Sequence, residues 1–157
     1  MRIIGQATIN PVLFYSGKII GYMLWVLFGL ELLGLRVFGS TPDRTLHLLS
    51  YVCLGLGLVV IALSMATLGR STRLGLPAEG TTLRTTGIYR FSRNPMYVGF
   101  FLTILAAVLY TPNVLTVAMG LYSIVVYHLI ILGEEVFLQK RFGADYTTYC
   151  QNVRRYI

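Results

Sequence analysis

Residues 94–133 form a run of forty residues without a single Asp, Glu, Lys or Arg. One membrane-spanning helix needs about 20 apolar residues, so the run is long enough for two. Thr111, Pro112 and Asn113 interrupt it near the middle, and a proline disfavours helix at the residue before it. The run therefore predicts a hairpin of two membrane helices, over residues 95–110 and 114–135, whose outer ends return to the same membrane face.

Two further apolar blocks precede this hairpin. Residues 19–35, bounded by Lys18 and Arg36, contain Glu31 near their end, whereas residues 46–69 are uncharged and include small residues that let helices approach closely. With 55% apolar residues, 12% charged residues and a mean hydropathy of +0.69, the composition is that of a membrane protein. We expect an all-α, polytopic integral membrane protein with about four transmembrane helices in a single domain, preceded by an interfacial segment over residues 1–17.

The basic residues indicate the orientation, because cytoplasmic loops beside membrane spans accumulate Lys and Arg. With four spans, eleven of the thirteen basic residues fall on one side, and only Arg36 and Arg44 fall on the other. Both termini and the loop over residues 70–94 are therefore predicted to be cytoplasmic. Topology and attraction to anionic membrane lipids explain the net charge of +7, so nucleic-acid binding is not needed to account for it.

The polar residues at the two ends of the hairpin are the candidates for chemistry. Asn94, followed by a proline, is a good N-cap, and Arg93 lies at the same helix N-terminus, where free N–H groups favour an anion. At the other end, Glu134 and Glu135 are adjacent carboxylates at a membrane boundary, which need Arg93, Arg90 or a bound cation as compensation. This pattern alone leaves an interfacial ion pair and a ligand site equally open.

Three motifs in fixed order carry a resemblance to a known family. They are Gly-x-Tyr-x-x-x-Arg-x-Pro-x-Tyr-x-Gly at residues 87–99, Glu-Glu-x-x-Leu at 134–138 and Phe-Gly-x-x-Tyr at 142–146. Together, over roughly residues 70–157, they resemble the isoprenylcysteine carboxyl methyltransferases, a family within a wider group of integral-membrane methyltransferases that includes the phospholipid N-methyltransferases. Membrane sterol reductases carry a string similar to Arg-x-Pro-x-Tyr, but the later motifs favour the methyltransferases.

The resemblance implies a cytoplasm-facing pocket for S-adenosylmethionine, built from residues 70–99 and 134–157. Carried over by motif position, the cofactor contacts are Thr81, Thr82, Leu83, Arg84, Tyr89, Asn94, Pro95, Met96, Tyr97 and Glu134. In this arrangement the helix N-terminus and Arg93 suit the methionine carboxylate, and Tyr89 and Met96 offer surfaces to the adenine. Glu134 can accept a hydrogen bond from the ammonium or the ribose.

Two positions depart from the family pattern. Asn94 stands where eukaryotic members have His, so this position has no general base near neutral pH. Ile130 replaces the Arg that the prenylcysteine enzymes direct at the substrate carboxylate. The nearest polar side chain is His128, seven residues before Glu135 and on the same helix face. It is either hydrogen-bonded to a neighbouring helix or serves as a base or substrate contact.

The sequence thus predicts an S-adenosylmethionine-dependent methyltransferase that acts on a small lipophilic or lipid-linked acceptor, with Arg93, Glu135 and His128 as candidate catalytic residues. Methyl transfer from a sulfonium needs little acid–base chemistry, because the cofactor carries the reactivity. A phenol, thiol or protonated amine acceptor must first lose a proton, to His128, Glu135 or water.

No metal is expected, since Cys53 and Cys150 lie far apart without metal-ligand spacing. The alternative functions are a phospholipid or amine N-methyltransferase, a nicotinamide-dependent membrane reductase, and a non-catalytic membrane protein that has kept the fold.

Overall fold

The computed structural model describes residues 9–35, 37–38, 44–68 and 82–157. These residues form five α-helices and one short 3-10 helix (Gly87–Arg90), and no strand occurs among them. The α-helices are α1 (Pro11–Leu32), α2 (Arg44–Leu68), α3 (Pro95–Tyr110), α4 (Val114–Phe142) and α5 (Ala144–Asn152). The expected all-α class is confirmed for the described part of the chain.

Three of these helices, α1, α2 and α4, are long and apolar enough to cross a membrane. The apolar helix α3 has only 16 residues, or about 24 Å at 1.5 Å per residue, which is shorter than a hydrocarbon core of about 30 Å. The structure therefore supports an all-α membrane protein in which three helices have the length of a span and the fourth predicted span is a shorter apolar helix.

The turn between α3 and α4 lies where the sequence predicts it. The Asn113 side chain accepts a hydrogen bond from the Thr116 N–H at 3.0 Å, and the Thr116 hydroxyl accepts one from the Asn113 N–H at 3.3 Å. This reciprocal capping box fixes the start of α4. The same hydroxyl donates to the Thr111 carbonyl oxygen at 2.6 Å and so ties the new helix to the end of α3. At its other end α4 continues beyond the predicted residue 135 to Phe142.

The first helix starts earlier than predicted. The Asn10 side chain accepts from the Val12 N–H at 2.9 Å and Pro11 occupies the first turn, so α1 begins at Pro11 instead of residue 19. Most of the described part of the expected interfacial segment is thus helical, and the helix ends at Leu32. Lys18, which the sequence places at the membrane boundary, lies about two turns inside α1.

Helices α2 and α3 cross closely at two glycines. A Cβ atom added to Gly99 would lie 2.6 Å from the Ile61 side chain and 2.9 Å from the Gly57 carbonyl oxygen. Further along the same pair, the Ser50 hydroxyl donates to the Ala106 carbonyl oxygen at 2.7 Å. Lipid tails are as apolar as the helices, so close approach at small residues and interhelical hydrogen bonds hold such a pair together.

Helix α1 packs against α4 and completes a core with α3. A Cβ atom on Gly17 would lie 2.3 Å from the Val126 side chain, and the hydroxyls of Ser16 and Tyr122 are 2.7 Å apart. The core between these helices contains Phe14, Leu24, Phe28, Ile104, Ala106, Ala107, Val126, Tyr127 and Ile130. This packing brings the start of α3 and the last turns of α4 to one end of the bundle.

Candidate functional site

The two polar stretches that flank the hairpin meet at this end of the bundle. The Arg93 guanidinium Nη2 lies 3.0 Å from Oε1 of Glu135, and the Tyr97 hydroxyl donates to Oε1 of Glu134 at 2.9 Å. Arg93 lies just before α3 and Tyr97 lies in its first turn, whereas both glutamates belong to α4. The prediction that the hairpin returns its polar ends to one place is confirmed.

Glu135 is held between two arginines. Arg93 binds one carboxylate oxygen, and Arg155 binds the other at 2.7 Å through Nη2, with its Nε 3.1 and 3.0 Å from the two oxygens. The Arg93 and Glu135 side chains are 12% and 13% exposed, while that of Arg155 is 35% exposed. Hydrogen bonding to Glu135 raises the pKa of Arg155, which therefore stays charged. Arg90, the other cation that the sequence offers, is exposed and lines a surface cavity instead.

The C-terminal tail, residues 153–157, docks onto the residues just before α3. The Arg93 backbone N–H donates to the Arg154 carbonyl oxygen at 3.0 Å, and its guanidinium Nη1 donates to the Val153 carbonyl oxygen at 3.3 Å. Asn94 Nδ2 donates to the Arg155 carbonyl oxygen at 3.3 Å. Asn94 precedes α3 as expected, but its side chain makes no capping hydrogen bond, because it is engaged with the tail.

His128 is also engaged by the tail. Its Nδ1 is hydrogen-bonded to the Tyr156 hydroxyl, and the Tyr156 ring packs edge-on against Phe101 of α3, with the ring centroids 5.7 Å apart. The last aromatic residue of the chain therefore lies on the seam between α3 and α4. All three predicted catalytic side chains, Arg93, Glu135 and His128, contact the C-terminal tail.

Glu134 has a different environment from its neighbour. Its carboxylate is partly buried and accepts from Tyr97, whose ring packs near Phe100 and Tyr127 with centroid distances of 6.1 and 6.0 Å. The charge of Lys18 from α1 interacts with it. Among the described residues, however, Glu134 forms no ion pair. Tyr97 therefore orients the Glu134 carboxylate, and no basic side chain among the described residues contacts it directly.

A hydrogen bond from α5 holds the short 3-10 helix before α3 in place. The Tyr149 hydroxyl donates to the Tyr89 carbonyl oxygen at 2.6 Å, and both side chains are buried. Burial raises the pKa of Tyr149 to about 12 and also raises the pKa of Tyr89, so both phenols remain protonated. Gly143, with φ +51°, makes the bend between α4 and α5 that brings Tyr149 to this position.

A cavity of about 420 Å³ opens between this short helix and α5. Its lining residues are Thr85, Arg90, Asp145, Thr148, Tyr149, Asn152 and Val153. None of the predicted cofactor contacts lines this cavity, although all of its lining residues belong to the two stretches that the sequence predicts to form the cofactor region.

The predicted cofactor contacts differ in how far the structure brings them together. Tyr97 and Glu134 touch. Pro95 is buried and Met96 is partly buried in the first turn of α3, while Thr82, Leu83 and Arg84 lie in a segment without regular secondary structure that leads to the short helix. Thr81 lies outside the described residues.

Sequence reasoning missed three residues at this end of the bundle: Lys18, Arg155 and Tyr156. The available signals were a single basic residue inside an apolar stretch and a basic-aromatic run at the C-terminus.

A family model described as phospholipid methyltransferase matches residues 45–145, which is more than half of the chain. No curated protein and no solved structure matches significantly. The match supports the wider group of integral-membrane methyltransferases that the motifs indicate, whereas the isoprenylcysteine subtype stays a prediction. The chain belongs to the phospholipid methyltransferase family.

Proposed function

We propose that this protein transfers a methyl group from S-adenosylmethionine to a lipophilic acceptor at the membrane, with the cofactor bound beside Tyr97 and Glu134 on the cytoplasmic side. The observation that carries the proposal is the hydrogen bond between these two residues, since it joins two predicted cofactor contacts that lie 37 positions apart on different helices. Membership of a methyltransferase family supports the reaction type.

The residues at this end of the bundle fit a zwitterionic, sulfonium-bearing cofactor. Glu134, with no ion pair within the described residues, suits a positively charged group. Arg93 Nε is buried and has no hydrogen-bond partner there, so it offers a donor to the methionine carboxylate. Tyr89 and Met96 then remain as the surfaces for the adenine. When bound, the cofactor supplies a methyl group on a charged sulfur, which leaves as a neutral thioether.

Among acceptors, we favour the amine of a phospholipid. Ile130, which stands where the prenylcysteine enzymes carry an Arg, is fully buried in the apolar core and presents no charge to a carboxylate. An amine arrives protonated and must lose that proton before its nitrogen can attack. Glu134 and His128 are the side chains at this end that can take the proton. Glu135, which binds Arg93 and the tail residue Arg155, acts by positioning.

Labelled methyl transfer tests this function. Purified protein in detergent is incubated with methyl-labelled S-adenosylmethionine and either phosphatidylethanolamine or a prenylated cysteine, and the lipid phase is counted. We expect label in phosphatidylethanolamine. The Tyr97→Phe variant should bind the cofactor about five- to tenfold more weakly, since one hydrogen bond that orients Glu134 is lost. The exposed Tyr22 provides the matched Tyr→Phe control.

Each result has a clear meaning. If label appears only in the prenylated cysteine, the methyl acceptor is the prenylcysteine and not the phospholipid amine. No transfer to either lipid, together with no thermal stabilisation by S-adenosylmethionine, would contradict the proposed function, because a ligand of the native state must stabilise it.

A further inference from the structure

Lys18 places a positive charge beside the proposed site from a helix outside the family match. The match begins at residue 45, whereas Lys18 belongs to α1. Its ammonium lies 4.0 Å from the ring centroid of Phe14, one turn nearer the helix N-terminus, and Phe14 is only 1% exposed. The side chain therefore runs back along α1 toward the polar end of the bundle, as a long basic side chain near a membrane boundary does.

The position of Lys18 is fixed by helix packing. Its neighbour Gly17 contacts Val126 of α4 so closely that no side chain fits there, and the Ser16 hydroxyl is hydrogen-bonded to that of Tyr122. Both contacts pin the register of α1 on α4. Lys18 and Glu134 are thus carried by two helices that are held against each other.

The two charges interact without neutralising each other directly. Lys18 and Glu134 attract one another electrostatically, but neither forms an ion pair within the described residues. If Lys18 served only as the counter-charge of Glu134, its ammonium would be expected to contact the Glu134 carboxylate directly. The lysine instead lies over the Phe14 ring and is partly exposed.

We propose that Lys18 binds the phosphate of the methyl acceptor, while the amine of the same head group is directed toward Glu134. A phosphate and an amine on one head group are the complement of a lysine and a carboxylate that interact electrostatically without forming an ion pair. Lys18 lies about 10 Å along α1 from its start, and its stem extends back toward the head-group region. Helix α1 thereby selects acceptors that carry phosphate. This inference rests on the proposed amine methylation.

Acceptor selectivity tests the inference. The ratio of kcat/KM for phosphatidylethanolamine to kcat/KM for a phosphate-free amino lipid with the same acyl chains is measured in mixed micelles. We expect Lys18→Gln to lower this ratio by about tenfold or more, because one charge-assisted contact to phosphate is lost. Lys18→Arg should keep most of it. Lys140→Gln, which removes the only other lysine from an exposed position, is the matched control.

A structural role for Lys18 gives a different result. If the lysine only compensates the charge of Glu134, its loss alters cofactor binding and both acceptors by the same factor, and the ratio stays constant. That outcome, or a ratio that falls equally in Lys18→Gln and Lys140→Gln, would overturn the inference.

A binding measurement separates this inference from the proposed reaction. Trp25 is the only tryptophan, lies two turns beyond Lys18 on α1, and packs near Phe100 with the ring centroids 5.5 Å apart. Brominated phosphatidylethanolamine should quench its fluorescence at lower concentration than a brominated phosphate-free amino lipid, and Lys18→Gln should abolish this preference.

Such a preference in a protein that transfers no methyl group would support the phosphate site and contradict the proposed function. Methyl transfer without any preference would leave the function intact and refute the role of Lys18.

Discussion

Replacement of Glu135 by Gln should release the C-terminal tail. The substitution keeps the shape of the side chain and removes the charge that two arginines share. The contact to Arg93 is 3.0 Å long between side chains that are 12% and 13% exposed, so its loss costs about 1.5–3 kcal/mol. The contact to Arg155 is more exposed and screened, and its loss adds about 0.5–1 kcal/mol. Only the Arg155 contact joins the tail itself to Glu135, so tail opening should increase roughly two- to fivefold, while loss of the Arg93 contact weakens the junction between α3 and α4.

Thiol labelling measures this opening directly. Cys150 is partly buried, and its carbonyl oxygen accepts from Arg93, so its reaction with a maleimide should follow release of the tail and accelerate in Glu135→Gln. Cys53 in α2 is the internal reference. Asp145→Asn, which removes an exposed carboxylate from the first turn of α5, is the control and should leave the rate unchanged. A Glu135→Gln rate equal to that of the wild type would refute the view that this ion pair holds the tail.

Two further substitutions test the packing around the site. Gly99→Ala should destabilise the protein by about 1–3 kcal/mol in a detergent unfolding assay, because its Cβ would lie 2.6 Å from Ile61, whereas Gly55→Ala should be near neutral since nothing lies within 4 Å. Tyr149→Phe should cost about 1 kcal/mol through its lost hydrogen bond to Tyr89. Burial raises the pKa of Tyr149 to about 12, so the extra stability of the wild type over Tyr149→Phe should be lost as the pH rises from 10 to 12. Equal pH profiles of stability for the two proteins would contradict the hydrogen bond between Tyr149 and Tyr89.

The hairpin was predictable because its signals are local. The absence of charge between Asn94 and Gly133 predicts two apolar helices, and the capping chemistry of Thr111, Asn113 and Thr116 depends only on neighbours in sequence. The meeting of Arg93 with the α4 glutamates then follows from the return of the chain.

The start of α1 was predicted wrongly because Lys18 was taken as a boundary. A lysine two turns inside a helix is tolerated when its stem covers an apolar surface and its ammonium reaches a polar end, as the packing on Phe14 allows. Asn10 and Pro11 carry the true start signal, an N-cap followed by proline.

The docked tail was not predictable from the sequence. Three of its contacts run from Arg93 and Asn94 to backbone carbonyl oxygens of residues 153–155, and a carbonyl acceptor leaves no mark in the amino-acid pattern. The same contacts explain why Asn94 precedes α3 without capping it, since its amide has a long-range partner instead. Only Arg155 and Tyr156 gave a compositional hint.

The most direct test of the account is calorimetric titration of S-adenosylmethionine into the wild type and Glu134→Gln. The glutamine still accepts a hydrogen bond from Tyr97 but carries no charge, so we predict that the cofactor binds the wild type and binds the variant at least about tenfold more weakly. Asp145→Asn, which removes a carboxylate outside the proposed site, should bind like the wild type. Equal affinity of the wild type and Glu134→Gln would contradict the proposal that the cofactor lies beside Glu134.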